Sequence, residues 1–302
     1  MKKYIKFIYF ILVIALLFSA AFFIKLDAKQ NENGKSMIAS IATQMSFGAR
    51  HVGTEGRLKT QDYIRTELNN NKVEVIDQKW EDSTSQNLNN IIGRINPEAK
   101  NRIIVGAHYD SQQSASNDRP NMPVPGANDS ASGVALLLEI ARNYNANDLK
   151  NVGVDLVFFD AEEYQPGNFE SWSPKGSVYF ADNLQSIYKS TKPNAAIVVD
   201  MICDKNLNIS KEFLSDSNAR EQTQNIWNEG KNVDATVFSN SVRTEIKDDH
   251  TPLAAMGIPS TLIIDFDYPY FHTTKDTIDK CSSKSLQTTY ETVKNYIYSL
   301  DK

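Results

Sequence analysis

Six side chains able to bind a metal or move a proton fall at, or just beyond, the ends of apolar runs, and a seventh lies in a loop. His108 and Asp110 close the run from Arg102 to Ala107, and Glu162-Glu163 follow the run Val154 to Phe159. Asp200 ends Ala195 to Val199, and His272 stands in the loop that follows Thr261 to Ile264. Asp129, in Gly126-Ala127-Asn128-Asp129-Ser130-Ala131-Ser132-Gly133, adds a carboxylate from a loop. A mixed set of imidazole and carboxylate ligands without cysteine suits Zn²⁺. A catalytic zinc needs three protein ligands and an open position. The set exceeds that need, leaving room for a proton-transfer group or a second metal. Adjacent glutamates past a strand end can divide the work, one holding the metal and its neighbour moving a proton. A lone Glu-Glu pair is ordinarily a solvated loop, because charged side chains are mostly exposed. Recurrence of the pattern at successive strand ends is what argues otherwise.

The elements that must position these groups read as α/β. Uninterrupted apolar runs are strands covered on both faces, as in a parallel sheet, and in such folds ligands gather at the carboxyl ends of the strands. Residues 37–45 and 58–68 read as amphipathic helices around a Gly-rich loop, 48–56. That loop holds His51, a weak ligand candidate because it lies far from any strand end. Residues 73–76 and 90–95 read as strands of a meander. A long polar loop, 112–125, then feeds the helix 134–144, before which Asp129 could serve merely as an N-cap. Further helices are read over 176–184, 219–230 and 285–300, with a turn-rich insertion containing Trp172 after the glutamate pair. No internal repeat is visible, and residues 31–302 read as one α/β domain.

The first 30 residues stand apart. Lys2, Lys3 and Lys6 precede Phe7 to Ile24, an uncharged apolar stretch near the lower length limit for spanning a bilayer. It is longer than the apolar core of an ordinary cleaved signal, and no clean small-residue cleavage site follows it. The expectation is a membrane anchor through residues 7–24, or a secretory signal if it is cleaved, with the remainder facing outside the cytoplasm. The 302-residue chain has a formal charge of −5, and −8 once the four lysines and one aspartate of residues 1–28 are left out. Beyond the N-terminus no dense basic run occurs, so a nucleic-acid partner is not expected. Cys203 and Cys281, the two cysteines of the chain, do not have the spacing of a metal-binding pair. Their pairing with each other cannot be argued from sequence.

The order His108-x-Asp110, Asp129, Glu162-Glu163, Asp200, His272 resembles that of the zinc aminopeptidases of family M28 and of their relatives, the glutaminyl-peptide cyclotransferases. The likeness runs from about residue 45 to the end. It implies a three-layer α/β/α sandwich around a mostly parallel mixed sheet. It also implies that Asp129, Glu163 and His272 bind zinc and that Glu162 is the general acid and base. His108 and Asp200 would complete a second metal site in a peptidase, with Asp129 bridging. Asn96 to Lys100, Trp172 to Ser177, Phe213 to Gly230 and Lys247-Asp248-Asp249-His250-Thr251-Pro252 are similar to cyclotransferase segments. In the last of these, Asp248 would hydrogen-bond Asp200 and share a proton with it.

Trp172 and Phe271 would flank the substrate side chain, although cyclotransferases place a Trp where Phe271 stands. Thr273 to Thr277 is similar to the peptidases instead. His250, beside two acids, is expected to orient metal ligands or neighbouring acids rather than to bind the metal. The resemblance thus implies conversion of an N-terminal glutaminyl residue of peptides to pyroglutamate, with one Zn²⁺. The alternative is aminopeptidase action with two. A membrane-bound ectodomain that has lost its chemistry would be expected to lack some of these ligands, and all are present.

Overall fold

The computed structural model describes residues 32–144, 149–165, 172–189 and 191–301. The expected anchor, residues 7–24, and most of the insertion after Glu163 lie outside the described residues. Among the described residues no helix is long and apolar enough to cross a membrane.

The elements follow in the order α1 (32–46), α2 (Glu55–Asn70), β1 (Glu74–Glu81), β2 (Asn87–Ile95), β3 (Asn101–His108) and α3 (Ala131–Asn143). Then come β4 (Val152–Phe159), α4 (Lys175–Asp182), α5 (Leu184–Tyr188), β5 (Ala195–Asp200), β6 (Ile209–Lys211) and α6 (Phe213–Asn218). The chain closes with α7 (Arg220–Asp234), β7 (Phe238–Val242), α8 (His250–Ala255), β8 (Ser260–Ile264), a 3₁₀ turn (Ile278–Lys280) and α9 (Ser283–Leu300).

Six strands form one sheet in the order β1-β2-β4-β3-β5-β8. β4, β3, β5 and β8 run parallel, whereas β2 pairs antiparallel with both β1 and β4. The expected mixed, mostly parallel sheet is therefore what the chain forms. The meander is longer than its apolar residues suggested, because polar positions of β1 and β2 continue the ladder from Glu74↔Arg94 to Glu81↔Asn87. The short parallel pair β6–β7 was not anticipated from sequence. Neither was the break at Ala219 between α6 and α7.

Alternation along the strands builds a core on each face of the sheet. Ile103, Val105, Leu156, Ile197 and Val199 pack with Ile41 of α1, Leu68 of α2, Leu137 of α3, Trp227 of α7 and Val293 of α9. Their neighbours Ile104, Val157, Phe159, Val198 and Leu262 pack with Phe180 of α4, Tyr188 of α5 and Leu253 of α8. All eight residues of β4 are buried, as expected for a central strand covered on both sides. This is a three-layer α/β/α sandwich.

Register then brings the strand ends to one edge. His108 lies beside Phe159 across the parallel ladder, and Asp200 lies beside Ile264. Gly133, in the first turn of α3, lets that helix press against the sheet there. A Cβ at this position would meet Ala107 Cβ and Val199 O at 2.7 Å.

Candidate active site

At that edge two groups of buried ligands share one carboxylate. Atoms of Asp129, Glu163 and His272 lie within 4.8 Å of one another, and so do atoms of His108, Asp129 and Asp200. His272 Nε2 is 2.9 Å from Glu163 Oε1 and 3.6 Å from Asp129 Oδ2. His108 Nε2 is 3.2 Å from Asp129 Oδ1 and 3.5 Å from Asp200 Oδ1. Asp129 Oδ2 is buried with no hydrogen-bond partner, an arrangement that costs free energy unless a cation or donor compensates it. An orphaned carboxylate oxygen facing an imidazole, in an oxygen and nitrogen donor set without thiols, fits Zn²⁺.

Backbone shape at the strand ends aims these side chains. Ala161, Met201 and His272 adopt left-handed φ of 58°, 47° and 53°, a conformation non-glycine residues rarely hold without a surrounding structure that enforces it. Ala161 turns the chain just before Glu162, Met201 just after Asp200, and His272 is itself in the turn. Asp129 does not cap α3. Ser130 occupies that position, without a side-chain cap bond, while Asp129 points between the two histidines.

The supporting hydrogen bonds come from Asp110, which the strand-end pattern did not separate from the ligands, and from Asp276 and Gln112, which that pattern did not include. Asp110 accepts the backbone N–H groups of both Glu162 and Glu163, each at 3.1 Å. It is an anchor for the glutamate turn, not a member of either ligand group. Asp276 accepts the N–H groups of Asn128 and Asp129 at 2.9 and 3.1 Å, and the Tyr268 hydroxyl at 2.8 Å. Gln112 donates to Glu163 Oε2 at 2.9 Å. No motif marks Gln112, and Asp276 stands out only as part of the segment Thr273 to Thr277 with no role of its own, because their partners are backbone groups or a side chain distant in sequence. At the base of the same turn, Arg57 pairs with Asp160 through two hydrogen bonds in the buried interior.

His250 is fully buried, and its Nε2 meets Glu212 Oε2 at 3.2 Å. Glu212 caps α6 through Leu214 N and Ser215 N, and also accepts Ile246 N. The expected orienting of metal ligands by His250 is therefore replaced by a tie to the segment leading into Asp248. His51 remains apart, with its Nδ1 3.0 Å from Val52 O. The two cysteines do meet, and the Cys203–Cys281 disulfide spans 78 residues.

Electrostatics follow from placing many acids in a dry site. Burial pushes Glu162 well above the ordinary carboxylate range, helped by Glu163, Asp249 and Asp248 and opposed by His108. Burial and the charge on Asp129 raise Glu163 to about 7. Asp248 is raised by burial and then by Asp200, and Asp200 by burial and then by Asp129. Burial alone would lower His272, but Glu163 and Asp129 carry it to about 9.

Above the ligands opens a cavity of about 510 Å³. Trp172 and Phe271 line it together with Glu162, Asp200 and Asp248. The Trp172 indole N–H donates to the Glu162 carbonyl at 3.0 Å. Phe271 stacks on the His272 ring, with centroids 3.8 Å apart.

A sandwich with a buried histidine and carboxylate donor set at its strand ends is the architecture of a metal-dependent enzyme. Residues 90–297 match peptidase family M28, and the chain belongs to that family. It is 27% identical over 270 residues to the glutaminyl-peptide cyclotransferase of the snake Boiga irregularis, covering 75% of this chain and 71% of that protein. Among solved structures it resembles the glutaminyl cyclase of Tannerella forsythia, with a TM-score of 0.80 and 30% identity over 88% of this chain and 98% of that one. It is equally similar to a leucine aminopeptidase precursor from Bacteroides thetaiotaomicron, with a TM-score of 0.81 and 29% identity over 88% and 96% of the two chains.

Proposed function

We propose that this protein is a zinc-dependent glutaminyl-peptide cyclotransferase, turning the N-terminal glutaminyl residue of peptides into a pyroglutamyl residue with release of ammonia. The observation that carries the reading is the aromatic enclosure of the proton-transfer residue. Trp172 is hydrogen-bonded to the backbone of Glu162, and Phe271 lies on His272 across the same cavity. Such an enclosure suits a reaction whose nucleophile and electrophile belong to one residue, where the protein chiefly folds the substrate into ring geometry and excludes water.

Asp129, Glu163 and His272 would hold one Zn²⁺, which when bound polarises the side-chain amide carbonyl as a Lewis acid. The α-amine forms the new C–N bond, and Glu162 accepts the proton that nitrogen loses. The same carboxyl then delivers the proton to the departing nitrogen as the original C–N bond breaks, so ammonia leaves neutral. General acid–base help of this kind contributes roughly 10²–10⁴-fold. Asp200 and Asp248 both line the cavity, and the charge of Asp200 raises Asp248, because neighbouring buried acids cannot both ionise cheaply. One retained proton between them disfavours a second cation at Asp200 and supports a single zinc.

Hydrolysis of N-terminal residues with two metals is the second reading. It is favoured by the His108, Asp129 and Asp200 group, which is compact enough to hold a second ion. Offering the purified protein a Gln-led peptide and a leucine amide separates the two. Ammonia from the first, with about one zinc per chain, supports cyclisation, and free leucine alone would overturn it.

An extracytoplasmic location completes the proposal. The apolar stretch 7–24 behind three lysines supports export, and a disulfide suits an oxidising compartment. Protease accessibility on intact cells tests it, and protection of the catalytic domain would count against export.

A further inference from the structure

The Gly-rich loop between α1 and α2 brings no ligand to the site, yet one of its side chains reaches the segment that carries Asp129. Arg50 is fully buried. Its Nη1 donates to Pro125 O at 2.9 Å and its Nη2 to Gly126 O at 2.6 Å. Its backbone N–H donates to Ser111 Oγ at 3.2 Å. Gly126 O also accepts Ala131 N at 3.2 Å, at the start of α3. Gly126 itself, with φ of +74°, has no room for a side chain. A Cβ there would meet Asp129 O at 2.6 Å, Arg50 Nη2 at 2.7 Å and Ser111 Cβ at 2.9 Å. The guanidinium and the Asp129 backbone thus lie on either side of one glycine.

A buried cation is costly unless it is compensated. Burial lowers Arg50 to about 10, opposed by the charges of Asp276, Asp110 and Asp129, so it stays charged at neutral pH. Its two hydrogen bonds to oxygen nevertheless go to backbone carbonyls and not to those acids. Asp276 does the converse and takes the N–H groups of Asn128 and Asp129. A cation on the carbonyls of residues 125 and 126 and an acid on the amides of residues 128 and 129 therefore grip the same short segment from opposite polarities.

We propose that Arg50 is the positioning residue for Asp129, holding residues 125–129 so that this carboxylate meets zinc in the geometry the reaction needs. The inference rests on the reading of Asp129 as a zinc ligand and adds the group that sets it in place. A planar guanidinium suits the task, because its rigid fork fixes two carbonyls at once, whereas a flexible ammonium does not.

Arg50→Met removes both charge and fork, and Arg50→Lys keeps the charge without the fork. Groups that orient a metal ligand are worth about 10–100-fold in metal affinity or activity. Arg50→Met is therefore expected to weaken zinc by about 10-fold or more in competition with a chromophoric chelator. Its kcat on a Gln-led peptide at saturating zinc is expected to fall by a similar factor, with KM little changed. Arg50→Lys is expected to move both quantities the same way by smaller factors, and it carries the test if Arg50→Met does not fold. A lowered Tm with wild-type zinc affinity and wild-type kcat in either variant gives Arg50 a part in stability alone and overturns the assignment. Failure of the wild-type protein to bind zinc overturns instead the reading of Asp129 as a ligand, a separate result read without any variant.

Discussion

Glu162 and Asp110 show how two acids at adjoining strand ends take different work. Glu162 faces the cavity, and its carboxyl is raised by burial, which suits a group that must both take and return a proton. Glu162→Gln keeps the shape but removes that exchange. Turnover is expected to fall by at least about 10²-fold, while zinc content measured by mass spectrometry stays the same. Activity within a few-fold of wild type would remove Glu162 from the role. Asp110 instead touches only what surrounds the chemistry: the amides of residues 162 and 163, and His108 at 3.4 Å. Asp110→Asn leaves one of those amides without its carboxylate acceptor and lets the glutamate turn shift. Misplacement of about 1 Å costs on the order of 10²-fold, so kcat is expected to drop roughly 10- to 100-fold with KM little changed. An unchanged kcat would mean that the turn holds its shape without Asp110.

At the scale of elements, the Cys203–Cys281 disulfide ties the loop leaving β5 to the segment entering α9. Cys203 N also donates to Asn128 Oδ1 at 2.8 Å, so the same loop steadies the neighbour of Asp129. Cross-links closing long loops are worth about 2–4 kcal/mol. Cys203→Ser with Cys281→Ser is therefore expected to lower Tm by roughly 5–15 °C for a domain of this size. An unchanged melting curve would show that the bond contributes nothing to stability. This pairing was not legible in sequence, since two cysteines 78 residues apart carry no geometric information.

What could be read were features with a periodic or terminal signature. Buried strands 102–108, 154–159 and 195–200 stand out as apolar runs, and their closing His, Asp and Glu residues stand out with them. Amphipathic α2, α3 and α9 were visible too, with ends displaced by a few residues because capping, not periodicity, sets them. The supports escaped for a different reason. Asp276 serves backbone amides, Glu212 serves His250 and the cap of α6, and Gln112 serves Glu163 across 51 residues. Their partners exist only once the chain has folded, so type and spacing could not mark them.

For the molecule as a whole, the same concentration of acids makes stability depend on pH in a way that zinc should reverse. Without metal, Glu163, Asp249 and Asp276 are each raised to about 7, chiefly by burial, from ordinary values of 4.5 for Glu and 3.8 for Asp. An acid whose folded value exceeds its unfolded one binds more protons when folded in the window between them. Stability is therefore lost as pH rises from about 4 to 7. His272, raised from 6.5 to about 9, has the same sign: its contribution is complete below about 6.5 and is lost as pH climbs to 9. Glu212 acts oppositely. Burial would raise it, but His250 and two backbone amides hold it at about 2, so its contribution is lost as pH falls from 4.5 toward 2. The metal-free protein is thus expected to be most stable near pH 4–5, with Tm falling by roughly 10 °C or more toward pH 9, given that each pKa unit is worth 1.36 kcal/mol. A ligand that binds the folded state alone stabilises it, and a cation held by Glu163 and His272 replaces the protons they would otherwise need. Scanning calorimetry with chelator and with saturating Zn²⁺ should therefore give curves that converge at acid pH and separate at alkaline pH, the zinc form being the flatter. Parallel curves across the range would mean that the ion is not held by these buried groups.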